Sequence, residues 1–216
     1  MLTIIDYGIG NLRSIEKAFE RVGAQVRRTD DVQAVTNAER LVLPGVGAFG
    51  ACIREIRERG LEAAILDAVQ RGTPLLGVCV GMQLLFDEGR EKGVHEGLGL
   101  LSGSVQHFED AADGDEMHDL VVPHMGWNAL SFKRSHPLLE GLTDDAYVYF
   151  VHSYHAVADD PADVLATTTY GHDVPAMVQR ENVFGVQFHP EKSQAAGLQL
   201  LRNFASLPRP AAAHQA

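Results

Sequence analysis

Cysteine is scarce in this sequence: Cys52 and Cys79 are the only two among 216 residues. Two thiols build neither a disulfide framework nor a zinc ribbon, which fits a reducing compartment. Positive charge is also short. Eighteen lysines and arginines face 29 aspartates and glutamates, a formal charge of −11. So acidic a chain is poorly suited to nucleic acid or to an anionic membrane surface. No apolar run approaches the ~20 residues that span a bilayer. The N-terminus, Met1-Leu2-Thr3-Ile4-Ile5-Asp6, has no basic stretch leading a long apolar one, so it reads as a first strand rather than a signal peptide. These absences predict a cytoplasmic protein with no nucleic-acid and no membrane partner. Internal repeats and interdomain linkers are missing too. Residues 1–207 therefore read as one domain, and the small, Pro-containing stretch 208–216 as a flexible tail.

What is present is a strand-helix alternation. Leu2–Ile5 is β-rich. Asn11 stands as an N-cap before Leu12, Ile15, Phe19 and Val22, which recur at helical spacing until Gly23. Gln25–Arg28 and Arg40–Leu43 read as strands, and Ala48–Arg59 and Leu61–Gln70 as helices. This pattern predicts an α/β fold, a three-layer arrangement of a mostly parallel, mixed sheet with helices on both faces. The second half is richer in strands: Ser102–Phe108 as an exposed one, then Tyr147–Tyr154, Val164–Thr169, Ala176–Gln179 and Val183–Phe188. Glu109–Glu116 reads as an acidic hairpin tip. Gln194–Phe204 reads as a closing helix with Leu198, Leu201 and Phe204 on one face.

The most informative stretch is Pro74-Leu75-Leu76-Gly77-Val78-Cys79-Val80-Gly81-Met82-Gln83. An apolar run enters a cysteine held between two glycines, and a second run, Met82–Phe86, reads as the helix that follows. This is the thiol form of the nucleophile elbow, in which glycines permit a tight turn and close chain approach. The start of the following helix is expected to favour a reactive thiol. A cysteine nucleophile needs a base and a group to orient it. Gln187-Phe188-His189-Pro190-Glu191 supplies both. His189 ends a strand at the same sheet edge, and Glu191 follows at an offset that can hold the imidazole. Two backbone N–H groups suit a tetrahedral oxyanion: Val80, just after the thiol, and Val46, in the glycine-flanked turn Pro44-Gly45-Val46-Gly47. No metal site is expected, because His152 and His155 on one strand would face opposite ways. The chemistry calls for no cofactor.

These motifs resemble the class I (triad) glutamine amidotransferases from Ile4 to Phe204. Asp6–Leu12, Pro44–Phe49, Pro123-His124-Met125-Gly126-Trp127-Asn128 and Tyr149-Phe150-Val151-His152-Ser153-Tyr154 resemble, more narrowly, the glutaminase subunits of histidine biosynthesis. The resemblance implies that Cys79 attacks the side-chain amide of L-glutamine, that His189 protonates the departing ammonia, and that Glu191 orients His189. It further implies that Gln83 and the Ser153–Tyr154 backbone hold the substrate. It implies a heterodimer with a (β/α)8-barrel cyclase subunit that receives the ammonia. Asn11, Trp127, Tyr149 and Lys192 are then interface residues. Read alone, Asn11 equally caps a helix, Trp127 fills core, Tyr149 is a strand aromatic and Lys192 a solvated helix-start residue. Two rival readings stay open. One is a glutaminase subunit for anthranilate, pyridoxal phosphate or guanine nucleotide synthesis, against which His124–Trp127 speaks. The other is a non-catalytic regulatory subunit on the same fold, against which the intact Cys79, His189 and Glu191 speak.

Overall fold

A computed structural model describes residues 1–110 and 121–208. Most of the acidic stretch Glu109–Glu116 and nearly all of the tail 208–216 lie outside the described residues. The first half runs β1 (Leu2–Ile5), α1 (Leu12–Arg21), β2 (Val26–Thr29), α2 (Val32–Thr36), β3 (Arg40–Gly45), α3 (Phe49–Glu58), α4 (Leu61–Gln70), β4 (Leu75–Cys79) and α5 (Val80–Gln83). The second half adds β5 (Phe86–Gly89), β6 (His95–Glu96), β7 (Leu101–His107), β8 (His124–Ala129), β9 (Ser131–Phe132), β10 (Tyr147–His152) and β11 (Tyr154–Ala158). β12 (Val164–Tyr170), β13 (His172–Arg180), β14 (Val183–Val186) and α6 (Gln194–Ser206) complete it.

An eight-stranded sheet in the order β2-β1-β3-β4-β14-β13-β12-β9 forms the centre. β2, β1, β3, β4 and β14 pair in parallel, and β13, β12 and β9 continue it antiparallel. β1, β4 and β14 are buried along their whole length, which is why their sequences read as unbroken apolar runs. α1 packs with α6, while α2 and α3 pack with α4. Right-handed crossovers put these two groups on opposite faces of the sheet. α1 buries Ile15, Ala18 and Phe19 at the helical spacing. α6 buries Leu200, Leu201 and Phe204, and Leu198 is only partly covered.

Beside this core stand a four-stranded sheet, β11-β7-β5-β6, and a two-stranded ribbon, β10-β8. They account for the main departures from the sequence reading. Tyr147–Tyr154 is two strands, not one. The chain breaks at Ser153, and its halves join different sheets. His152 and His155 consequently do not face opposite ways: both rings pack on Phe108, at centroid distances of 5.3 and 4.8 Å. β7 is not an exposed strand, because β11 and β5 flank it and Leu101, Gly103, Ser104 and Val105 are buried. The run after Cys79 is helical only to Gln83. Leu84, Leu85 and Phe86 are all fully buried, so the segment has no polar face and turns into β5 instead. A four-residue helix contributes little dipole to the thiol. Asn11 precedes α1 but makes no side-chain cap.

Candidate active site

Cys79 closes β4 in a backbone conformation uncommon for a residue with a side chain, φ 56° and ψ −115°. Such strain survives only where neighbours fix it. Here the neighbours are two glycines. A Cβ on Gly81 would lie 1.9 Å from the Leu43 carbonyl oxygen, and one on Gly77 would lie 2.5 Å from that of Gly81. The elbow thus presses against β3, and no side chain fits between them. Cys79 itself is 4% exposed.

His189 lies just past β14, at the carboxyl edge of the sheet where ligands of parallel α/β sheets collect. Its Nδ1 meets Glu191 Oε1 at 2.9 Å, with both side chains almost fully buried. Burial alone would lower the pKa of His189. Hydrogen bonds and charge from Cys79 and Glu191 outweigh it and raise the value to about 9. His189 therefore carries a proton at neutral pH. Its backbone is stitched to the β10 ribbon: His189 N–H donates to the Tyr149 carbonyl at 2.9 Å. The buried Ser193 hydroxyl donates to the His189 carbonyl and accepts the Tyr149 N–H.

A cavity of about 360 Å³ opens over these groups, the size of a small-molecule site. Cys79, Val80, His189, Val46 and Gly47 line it, together with Gln83, Ser153 and Tyr154. The expected thiol, imidazole, oxyanion and substrate residues are thus gathered at one place. Gln83 is more committed than anticipated. Its Nε2 donates to the Tyr154 carbonyl at 2.9 Å and to Gln187 Oε1 at 3.1 Å. The carbonyls of both Ser153 and Tyr154 are already engaged, accepting from Phe108 N–H and from Gln83 respectively.

Two groups at the site escaped the sequence reading. Gln187 lies fully buried beneath Cys79, its Nε2 donating to Sγ at 4.0 Å. Its signal was its place in the His189 motif. Glu91 lines the cavity, and its Oε2 accepts the Phe49 N–H that opens α3, at 2.8 Å. It follows β5 in a segment without a recognisable motif.

One of the two expected oxyanion donors, the Val80 N–H, is not free for a ligand. Leu41 N–H donates to the Pro74 carbonyl at 2.8 Å, and β3 pairs with β4 in register from Leu41–Leu75 to Gly45–Cys79. The alternation of a parallel ladder then directs the Gly45 carbonyl to the Val80 N–H. The carbonyl therefore faces a group that an oxyanion would use.

His152 lines the cavity, and His124 and His155 lie near it. His124 Nδ1 and His152 Nε2 are 3.1 Å apart, and His152 Nδ1 lies 2.9 Å from the Tyr154 carbonyl. Burial pushes the pKa of His124 to about 4, of His152 to about 3 and of His155 to about 4. All three are neutral aromatic spacers at pH 7. Among the described residues, no group of three or more His, Cys, Asp or Glu is arranged to hold a metal ion.

The proposed interface residues lie on one side of the molecule. β8 and β10 pair Trp127 with Tyr149. Trp127 is 44% exposed, so it does not fill core; it packs edge-on against Tyr149, with centroids 6.1 Å apart. The Lys192 ammonium sits 5.6 Å from the Tyr149 ring centre. Met125 and Tyr147 extend the same exposed face. Asn11 is exposed and borders a small recess that Gly45, Val46, His189 and Glu191 also line.

Residues 3–206 match the family glutamine amidotransferase class-I. The chain belongs to that family. It is 69% identical over 208 residues to the imidazole glycerol phosphate synthase subunit HisH of Salinibacter ruber, covering 96% of this chain and 95% of that one. It is 50% identical over 208 residues to the subunit of the same name from a Geobacillus species, covering 96% and 97%. Among solved structures, a glutamine amidotransferase crystal structure superposes with a TM-score of 0.71 at 22% identity, covering 95% of this chain and 99% of that one. PurLQS from Thermotoga maritima gives 0.71 at 20% identity, covering 94% and 96%. At such identities the structural likeness speaks for the fold alone, and it bears out the α/β architecture. No helix among the described residues is long and apolar enough to cross a membrane.

Proposed function

We propose that this chain is the glutaminase subunit of an imidazole glycerol phosphate synthase. It hydrolyses L-glutamine to glutamate and ammonia and delivers the ammonia to a (β/α)8-barrel cyclase subunit. The carrying observation is that Cys79 and His189 line one cavity, with His189 Nδ1 held 2.9 Å from the buried Glu191 carboxylate. Cys79 Sγ, as the thiolate that pairs with protonated His189, attacks the side-chain amide carbon of glutamine, forming the carbon–sulfur bond. The carbon–nitrogen bond then breaks as His189 Nε2 gives its proton to the leaving nitrogen, and ammonia departs. Water attacks the resulting thioester and passes a proton to His189. The carbon–sulfur bond breaks, releasing glutamate and regenerating the thiolate beside protonated His189.

Val80 N–H and Val46 N–H receive the oxyanion once the Gly45–Val46 peptide has turned its carbonyl away. The ladder bond from Gly45 to Val80 supports a resting state that the partner releases. Glu91, a carboxylate on the cavity wall, suits the α-ammonium of an amino-acid substrate. Met125, Trp127, Tyr147, Tyr149 and Lys192 form the docking face. The backbone bonds between Tyr149 and His189 run directly from that face to the site.

The test is Cys79→Ala in the assembled complex. Glutamine-dependent synthesis falls to background while synthesis from added ammonium persists. Surviving glutamine turnover in that variant would refute the assignment.

A further inference from the structure

The segment that carries the Gly45–Val46 peptide is anchored on both sides by side chains to which the reaction above gives no part. Tyr7 follows β1, and Cys52 lies in α3; both are fully buried. Tyr7 Oη donates to the Pro44 carbonyl at 2.7 Å. Cys52 Sγ donates to the Val46 carbonyl at 3.4 Å. The phenol and the thiol also lie against each other. Each carries one proton, and each proton is matched by one carbonyl. Burial raises the pKa of both groups, so both remain donors through neutral pH.

The two carbonyls belong to the peptides on either side of Gly45–Val46. Pro44 C=O fixes the 44–45 peptide, and Val46 C=O fixes the 46–47 peptide. The plane between them holds the Gly45 carbonyl and the Val46 N–H. It can rotate about ψ of Gly45 and φ of Val46 while its neighbours stay in place. Space underlines the point. A Cβ on Gly45 would lie 3.0 Å from Tyr7 Oη and 2.6 Å from the Gly81 nitrogen. Tyr7 is thus a wall behind the rotating peptide and an anchor for the one before it.

We infer that Tyr7 and Cys52 are positioning residues, pinning the peptides that flank Gly45–Val46 so that only this plane turns and Val46 N–H meets the oxyanion in register. The inference rests on the glutaminase reading and deepens it. Neither residue touches substrate. Their effect falls on a donor used in the transition state, and so on kcat rather than KM.

The experiment compares Tyr7→Phe, Cys52→Ala and Cys52→Ser with the unmodified chain, each assembled with the cyclase subunit. Glutamine turnover and ammonium-dependent synthesis are both read. Tyr7→Phe keeps the ring in the core, and Cys52→Ala removes a single sulfur, so melting temperatures serve as the folding control. The expected result is a drop in kcat for glutamine of about tenfold in Tyr7→Phe and Cys52→Ala. The KM for glutamine and the ammonium-dependent rate stay unchanged, and Cys52→Ser, which restores a donor, recovers most of the loss. Unchanged kcat in both variants overturns the inference, as does a rise in KM alone or a serine variant no better than alanine. An unmodified complex that fails to hydrolyse glutamine instead removes the glutaminase reading, and this inference with it. A working complex with indifferent variants removes only the pinning.

Discussion

His189 shows how three groups set one residue's chemistry. Burial disfavours its charge, while Cys79 and Glu191 restore it and more, to a pKa of about 9. A histidine whose folded pKa exceeds its unfolded value stabilises the fold fully below about pH 6.5, and that contribution is lost as pH rises through about 9. In the proposed mechanism the same rise removes the proton that the departing ammonia needs. Glutamine turnover in the complex should therefore show an alkaline limb near pH 9. Glu191→Gln removes one of the groups holding the charge, so the limb should move to lower pH and kcat should fall about 10- to 100-fold. A pH–rate profile decides it; an unmoved limb counts against the pairing. Glu91 makes a different kind of prediction. If its carboxylate holds the substrate's ammonium, Glu91→Gln should raise KM for glutamine about tenfold or more with little change in kcat. A fall in kcat at constant KM would place its role elsewhere.

At the scale of elements, the elbow depends on glycines for space rather than for flexibility. Gly81→Ala sets a Cβ 1.9 Å from the Leu43 carbonyl, so β3 and α5 must separate. Gly23, at φ +87°, has nothing within 4 Å of its would-be Cβ, and alanine there meets only backbone strain of about 1–2 kcal/mol. Thermal melting should rank Gly81→Ala well below Gly23→Ala, and equal shifts would mean that the contact relaxes freely. The central strands and the cluster of Cys79, His189 and Glu191 were legible in sequence because local signals and packing agree there: glycines flank Cys79, and Glu191 follows His189 two residues on. The break at Ser153 was not legible. A run of strand-forming residues does not say which sheet takes each half; partners 18 to 55 residues away decide that. Five-residue α2 and the short β5, β6 and β9 were missed for a related reason, since so few residues hold no recognisable period. The run after Cys79 was misjudged because apolar residues with no polar face fit a buried turn as well as a helix.

On the scale of the whole molecule, the two-stranded ribbon divides its faces by the period of two. His124, Val148, Phe150 and His152 point inward, while Met125, Trp127, Tyr147 and Tyr149 point outward or lie at the edge. An exposed aromatic face of this kind contributes little to the fold and much to association. Trp127→Ala should leave the melting temperature within about 1–2 °C and weaken cyclase binding by roughly 30-fold, read by calorimetry. A large loss of stability with unchanged affinity would return Trp127 to a structural role. The register of β3 against β4 reaches furthest. Its last rung joins the Gly45 carbonyl to the Val80 N–H, so a single hydrogen bond belongs both to the sheet and to the proposed resting state. Such a bond is worth about 0.5–1.5 kcal/mol net, a population ratio of roughly two- to thirteenfold. The rung is thus a local equilibrium constant written into a strand pairing. Any gain in turnover beyond that ratio measures what the partner adds by its own contacts.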